Sequence, residues 1–392
     1  MTDSPIDNLR IHFYGVQGSG STFPAKQERQ AFQRMNEFHL LQQVLDDLAS
    51  HADADGRLAC SLEDLLGGQR SDRLVMAYRD RFAAEESRVY GGWTTCVRIE
   101  TADGDDIVLD CGSGFRNCAR DLQVKWGDRP QRVLHVFGSH SHLDHTEGFD
   151  QAAVCFDPRN TLQIYGNRQF LNALDINLGI FTHQVAEEMR GVQTPLFYAL
   201  MPATFSATRI YEPATETPDS DGLALHDVNQ PIRINQTTIQ PFFVFHPAPC
   251  LAYRIERGGK VFVFCTDHEL RRGDDTDHPD QVQSLDAERR LIDHATNADV
   301  MYRDGQYFRA EYDGVQGISE SMPVPRRGWG HSCIEDVVEM AEGCNIKQTL
   351  IGHHDPNRSW EERNWIDESL ARNSSMNSYK VQLARAETVI DL

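Results

Sequence analysis

The sequence predicts an α/β chain with mixed sheets, interrupted near its start by a block of helices. Three observations lead there. Runs rich in β-branched residues recur from Leu9 to Gly352, many ending in Gly, Asp or His. Helical spacing separates several of them. Between about residues 22 and 87 the strand texture stops and steps of three and four take over.

In order, Leu9 to Tyr14 reads as a strand followed by the glycine-rich turn GVQGSGST. From about Ala25 to Ser50, Phe32, Met35, Phe38, Leu41, Leu45 and Leu48 mark an amphipathic helix. Ser61 is a plausible N-cap for SLEDLL, and Leu74, Val75, Tyr78 and Phe82 suggest one more helix. Beyond Tyr90, TTCVRIE and DDIVLD around the turn ADG give a hairpin. Arg132 to Phe137 and TLQIYG are further strands, and a helix is expected over about Asn167 to Met189. Pro195 to Asp221 reads as irregular, with PATETPDSDG a polar loop. Strands return with RINQTTIQPFFVF, CLAYRIE and KVFVFCTD, the last two joined by RGG. Ser284 to His294 and Ile334 to Ala341 read as helices, VMYRD and QTLIG as strands. Strands interleaved with helices in this way are the basis of the α/β assignment.

The chain carries 38 Lys+Arg against 59 Asp+Glu over 392 residues, a net of −21. That balance argues against a partner that is bare phosphate backbone. It leaves room for a small anionic substrate, because a bound cation reverses the sign inside one cleft. No run approaches the roughly 18 apolar residues that span a bilayer, so no membrane contact is expected. The N-terminus MTDSPIDNLRIHFYG lacks a basic start followed by an apolar run, so no secretory signal is expected. The nine cysteines are odd in number and form no CxxC pair, which fits reduced thiols in a cytoplasmic setting.

The sharpest feature is SHSHLDHTEG at 139–148, directly after the RVLHVF strand. It sets His140, His142, Asp144 and His145 within six residues. Imidazole and carboxylate suit zinc, manganese or iron. Alternate residues on an extended loop project to one side, so His140 and His142 can reach one ion, and Asp144 and His145 a neighbouring one. A polar loop with scattered histidines is the plain alternative. Three more strand ends carry His246, Asp267 and the pair His353–His354. Each alone is equally a hydrogen-bonded core residue; their recurrence at strand ends, where open sheets bind ligands, is what counts.

HxHxDH, a later His, an Asp after the next strand and a final His resemble the metallo-β-lactamase superfamily, over about residues 9–21 and 88–360. The resemblance implies an αββα four-layer sandwich with a dinuclear site at one edge. It implies one ion on His140, His142 and His246 and another on Asp144, His145 and His353, with Asp267 between. His353 fits the apolar-strand-then-His pattern better than His354, which is left as a pocket residue. The ions implied are two divalent metals, Zn2+ first, with Mn2+ or Fe as alternatives.

The pieces HPAPCLAYRIERGGKVFVFCTDHE and GWGHSCIEDVVEMAEGCNIKQTLIGHHDP look like the branch that holds tRNA 3′-end-processing ribonucleases and small phosphodiesterases. YGGWTTC, LDCGSGFR, GWGHS and HHDP look more like a bacterial group of uncharacterised or cyclic-nucleotide phosphodiesterase-like hydrolases of that branch. Asp304 and His331 then take the places of a carboxylate-oriented His that contacts the phosphate and protonates the leaving oxygen. The sequence departs from the ribonucleases in having RDGQ for His-Glu-Ala-Thr and Ser-Cys for Ser-Thr.

The expectation is therefore a single catalytic domain over 1–392, with 22–87 a helical insertion that is cap or dimer interface. Its candidate catalytic residues are Asp144, His331 and Asp304. Two ions about 3.5–4 Å apart would hold an attacking hydroxide, and His331 would serve as general acid toward a poor alkoxide leaving group. His331 is expected to open a helix, so that backbone N–H groups there can face the phosphate as well. Asp110 in LDCGSGFR is either a carboxylate supporting a ligand His or part of a tight turn. GVQGSGS is a weak phosphate loop or a turn. Arg326 and Arg327 either supply charge to the substrate or are solvated, and Trp93 and Trp329 wall the pocket or pack in the core. His354, Arg327 and Trp329 are the candidate substrate contacts. The partner expected is a small (cyclic) nucleotide-like phosphodiester, with a homodimer as the assembly. A tRNA-processing endoribonuclease, a thioester or lactam hydrolase and a non-catalytic nucleotide binder are the alternatives; the charge and the Asp304–His331 pair weigh against the first two, the full set of ligand positions against the third.

Overall fold

The computed structural model describes residues 6–20, 26–82, 90–192, 194–216, 222–273, 278–374 and 379–392. Both ends of the 22–87 block, part of PATETPDSDG and the side chains of Phe32 and Met35 lie outside the described residues. The chain forms two compact units, Pro24–Val89 and the remainder.

Strand β1 (Leu9–Gly15) precedes the small unit, which holds α1 (Lys26–Ser50), α2 (Leu62–Leu66) and α3 (Asp72–Arg79). Ser61 caps α2 as expected: its Oγ accepts from Asp64 N–H, and Asp64 returns the contact to Ser61 N–H. Leu65, Leu66 and Tyr78 form a small core against Val44, Leu48 and Leu74. Phe38, Leu41 and Leu45 of the expected apolar face are exposed.

The large unit continues with β2 (Cys96–Thr101), β3 (Asp106–Leu109), α4 (Phe115–Trp126), β4 (Arg132–Phe137), β5 (Asn160–Gly166), α5 (Arg168–Leu178), β6 (Thr204–Tyr211), β7 (Ala224–Asp227), β8 (Ile232–Ile234), β9 (Thr237–Val244), β10 (Cys250–Arg257) and β11 (Lys260–Cys265). It closes with α6 (Pro279–Ala295), β12 (Val300–Asp304), α7 (Arg309–Tyr312), α8 (Ile334–Gly343), β13 (Gln348–Gly352), α9 (Trp360–Ser374), β14 (Lys380–Leu383) and β15 (Val389–Asp391). One sheet runs β15-β1-β2-β3-β4-β5-β6-β7 and the other β14-β13-β12-β11-β10-β9-β8.

Alternation along each strand divides its side chains between two layers. Leu134 and Val136 of β4 pack outward with Phe115, Leu122 and Trp126 of α4 and Phe170 and Leu174 of α5. Phe137 faces the second sheet, its ring 5.4 Å from that of Tyr253, and Phe13 meets Tyr302 at 5.8 Å. Helices α6, α8 and α9 contact strands of the second sheet. The result is the expected helix–sheet–sheet–helix sandwich. All nine cysteines are free, and among the described residues no helix is long and apolar enough to cross a membrane.

Several expectations need correction. The helix after β5 stops at Leu178, because Gly179 takes a left-handed φ of 61° and ends it; only the short turn Glu187–Met189 follows. The stretch read as irregular contains β6, whose polar Thr, Ser and Arg residues mask its alternation. RINQTTIQPFFVF is two strands, because Asn235 turns the chain at φ 49°. The last helix, α9, and β7, β14 and β15 carry no strong sequence signal.

Candidate metal centre

Strand β4 delivers the HxHxDH loop to the sheet edge. Gly138 lets it pass close to α5: a Cβ there would lie 2.1 Å from the Phe170 ring. His140 and His142 follow in extended chain, and Leu143–His145 closes a 3₁₀ turn that presents Asp144 and His145. The second sheet supplies the rest. His246 lies just beyond β9, Asp267 just beyond β11, and His353 just beyond β13 with a left-handed φ of 54°.

These residues converge. Donor atoms of His140, His142, His246 and Asp267 lie within 4.8 Å of one another, as do those of Asp144, His145 and His353. His142 Nδ1 is 3.3 Å from His246 Nε2, and His140 Nε2 is 3.4 Å from Asp267 Oδ2. His145 Nε2 is 3.4 Å from both Asp144 Oδ2 and Asp267 Oδ1. His353 Nδ1 is 3.4 Å from Asp267 Oδ1 and its Nε2 is 3.6 Å from Asp144 Oδ2. Tetrahedral bonds of about 2.0–2.1 Å set neighbouring donors about 3.3 Å apart, so the spacing suits divalent ions.

The hydrogen-bond pattern tests the fit. Nε2 of His140, His145 and His353 and Oδ2 of Asp144 are buried with no hydrogen-bond partner. An unsatisfied buried polar atom costs about 1–3 kcal/mol, so this cluster is built around something absent from the protein itself. The outward nitrogens are anchored. His145 Nδ1 donates to Asp110 Oδ2 at 2.7 Å. Ser139 Oγ donates to the same oxygen at 2.7 Å, leaving His140 Nδ1 to donate to Ser139 at 3.0 Å. His246 Nδ1 donates to Gly330 O at 3.0 Å, and Thr95 Oγ1 lies 3.4 Å from His353 Nδ1. Such partners fix the ring orientation of metal ligands.

Burial lowers the pKa of His246 to about 4 and of His353 to about 3, and holds His140 well below the usual imidazole range. Their lone pairs are therefore available near neutral pH. His145 goes the other way: burial opposes it, but Asp267, Asp144 and Asp110 raise it well above that range.

The family model of the β-lactamase superfamily domain matches residues 106–354, which include every residue of this cluster. The chain belongs to the metallo-β-lactamase superfamily. That superfamily consists mostly of hydrolytic metalloenzymes, and its fold binds divalent metals. No curated protein matches the chain. Among solved structures it is similar to YhfI of Bacillus subtilis, a metallo-β-lactamase fold protein, at 15% identity over 98% of this chain and 100% of that one, with a TM-score of 0.48. It is also similar to the short form of human tRNase Z, at 14% identity, 97% and 98% coverage and a TM-score of 0.49.

Around this superfamily cluster the other expected residues take distinct places. His331 Nδ1 lies 3.3 Å from Asp304 Oδ2, an ion-pair contact whose angle falls short of a hydrogen bond, and 3.9 Å from Asp267. Burial raises the pKa of Asp304, and that of His331 rises too, because Asp304, Asp267 and Asp144 together outweigh the burial that would lower it. His331 does not open a helix: α8 is capped at Cys333, and the nearby Ser332 and Ile334 amides donate to Asp304 and to Tyr307 O. Asp110 takes the supporting role at His145. His354 is not in the cluster: its Nε2 donates to Ala384 O at 2.8 Å and its ring meets Tyr90 edge-on. Trp329 is half exposed, with Arg326 stacked on it at 4.2 Å, and Arg327 is exposed with its guanidinium against Gly273. Gly18 of the glycine-rich turn packs against the His353 ring, where a Cβ would lie 3.0 Å away.

Sequence reasoning missed Ser139, Thr95 and Glu269. Fully buried Glu269 accepts N–H groups from Gly328 at 2.9 Å and Gly330 at 3.0 Å, so it shapes the loop that carries His331. Its one signal was its place in CTDHE, two residues after Asp267.

Proposed function

We propose that this protein is a divalent-metal-dependent phosphodiesterase acting on a small nucleotide-like diester, cyclic nucleotides included. One ion would be held by His140, His142 and His246 and a second by Asp144, His145 and His353, with Asp267 serving both. Divalent ions there supply positive charge for the diester oxygens and make a nearby water a stronger nucleophile. The observation that carries the reading is Asp304 beside His331 at the rim of the cluster.

Cleaving a phosphodiester expels an alkoxide, which leaves poorly unless protonated. Asp304 favours the protonated form of His331, and with Nδ1 turned to Asp304 the proton on Nε2 is the one available to a leaving oxygen. Asp304 itself is fixed by the Ser332 N–H at 2.9 Å and the His268 N–H at 3.3 Å. The test is turnover of bis(p-nitrophenyl) phosphate and a panel of 3′,5′-cyclic nucleotides by protein purified with added Mn2+ or Zn2+. Bound metal with turnover of a diester is expected; hydrolysis of thioesters or lactams with every diester untouched would overturn the reading.

A further inference from the structure

We infer that the side-chain amide of Gln306 is a hydrogen-bond donor to the phosphoryl group of the substrate. The phosphoryl group comes from the phosphodiesterase reading; an oxyanion contact at Gln306 stands on the geometry alone.

Gln306 follows the end of β12 by two residues. Its neighbours tie it to both halves of the site. Gly305 N–H donates at 3.3 Å to the carbonyl of Gly352, the residue before His353. Tyr307 N–H donates at 3.4 Å to the carbonyl of Ser332, the residue after His331. The Gln306 carbonyl accepts from Arg358 Nη2 at 2.8 Å, and Arg358 is itself buried and held by Glu311 at 3.0 Å. The backbone of this segment is therefore clamped between the strand end that delivers His353 and the loop that delivers His331.

The side chain is the part left over. Gln306 is 5% exposed, yet among the described residues its amide has no hydrogen-bond partner. A buried amide without a partner is unfavourable, and glutamine brings two N–H donors to satisfy. Gly18 locates that amide. A Cβ on Gly18 would lie 2.6 Å from Gln306 Nε2 and 3.0 Å from His353 Nε2. The two nitrogens are thus no further apart than those two distances laid end to end. His353 Nε2 is the buried, unpartnered atom that faces Asp144 Oδ2 at 3.6 Å. The amide therefore lies beside the atom of His353 that would bind metal. Any residue larger than glycine at position 18 would intrude between the two, so the glycine-rich turn keeps this space open.

A phosphoryl group drawn to an ion on His353 would set its oxygens beside that amide. A neutral donor held in place meets such an oxygen without adding a charge that competes with the ions. It also needs no reorganisation as negative charge builds on the oxygen.

The probe is inorganic phosphate, titrated calorimetrically into the Zn2+-loaded protein and into Gln306→Met, which keeps the bulk of the side chain and loses both donors. Gln306→Ala serves as a second variant. The wild type should bind phosphate, and each variant should bind it at least about tenfold more weakly while keeping its zinc by elemental analysis. No phosphate binding by the wild type, equal affinity in the variants, or a weakening that tracks lost zinc overturns the inference. Turnover of bis(p-nitrophenyl) phosphate by the wild type is read separately. Weaker phosphate binding in the variants with no diester cleaved rejects the phosphodiesterase reading alone, and turnover with equal phosphate affinity rejects the Gln306 contact alone.

Discussion

Asp110 Oδ2 accepts from His145 Nδ1 at 2.7 Å and, through Ser139, sets the ring of His140 as well. One buried carboxylate thus orients a histidine in each half of the cluster. It does so from a left-handed φ of 61°, a conformation that Asp tolerates better than most residues. Asp110→Asn should weaken metal retention by about 10–100-fold while leaving the fold intact. Elemental analysis after dialysis against a graded chelator measures this, and an unchanged retention curve would remove Asp110 from the support of the site.

His331→Ala should keep its metal. Loss of a general acid costs about 10²–10⁴ in rate where the leaving group is an alkoxide, and far less where it is p-nitrophenolate. Comparing kcat on a cyclic nucleotide and on bis(p-nitrophenyl) phosphate checks this. Equal losses on both would argue against the acid role, and a fall in bound metal would make His331 a ligand with Asp267 and His353, a grouping that the geometry also permits.

Glu269→Ala removes the acceptor of the Gly328 and Gly330 amides and of the Tyr312 hydroxyl. With three donors left unsatisfied at about 1–3 kcal/mol each, stability should fall by at least about 3 kcal/mol. Gly330 O also receives His246 Nδ1–H, so metal retention should weaken with it. Urea denaturation and metal content of the variant measure the two effects.

His12 gives a pH dependence remote from the cluster. Burial, then Arg98, lower its pKa to about 4. The unfolded chain takes up that proton near pH 6.5, whereas the folded one resists until about pH 4. The stabilisation is complete above pH 6.5 and is lost as pH falls toward 4. His12→Gln should flatten the decline of Tm over that window relative to wild type, and parallel curves for the two proteins would contradict the assignment.

The legible parts of this chain are those in which chemistry and pattern share one short segment. His140, His142, Asp144 and His145 stand in a single loop, and β4, β10 and β11 are apolar runs bounded by turns. Asp110 could be seen but not decided, because its partner His145 is 35 residues away and meets it only through strand pairing. Glu269 and Ser139 were hidden for the same reason: their roles lie in backbone amides and neighbouring rings. His354 misled because adjacency in sequence says nothing about direction; the left-handed His353 turns the chain and sends the two imidazoles apart. β6 was missed because Arg209, though buried, reads as a surface residue.

The cluster draws its donors from both sheets. His140, His142, Asp144 and His145 come from the end of the first, and His246, Asp267 and His353 from strand ends of the second. Ions held between them would rivet two halves of the chain that otherwise meet through side-chain packing and a few hydrogen bonds, such as Leu251 N–H to Ser139 O at 2.9 Å. Unfolding would then require the rivet to break before the layers part, so the loaded protein should open as one cooperative body and the chelated protein in stages.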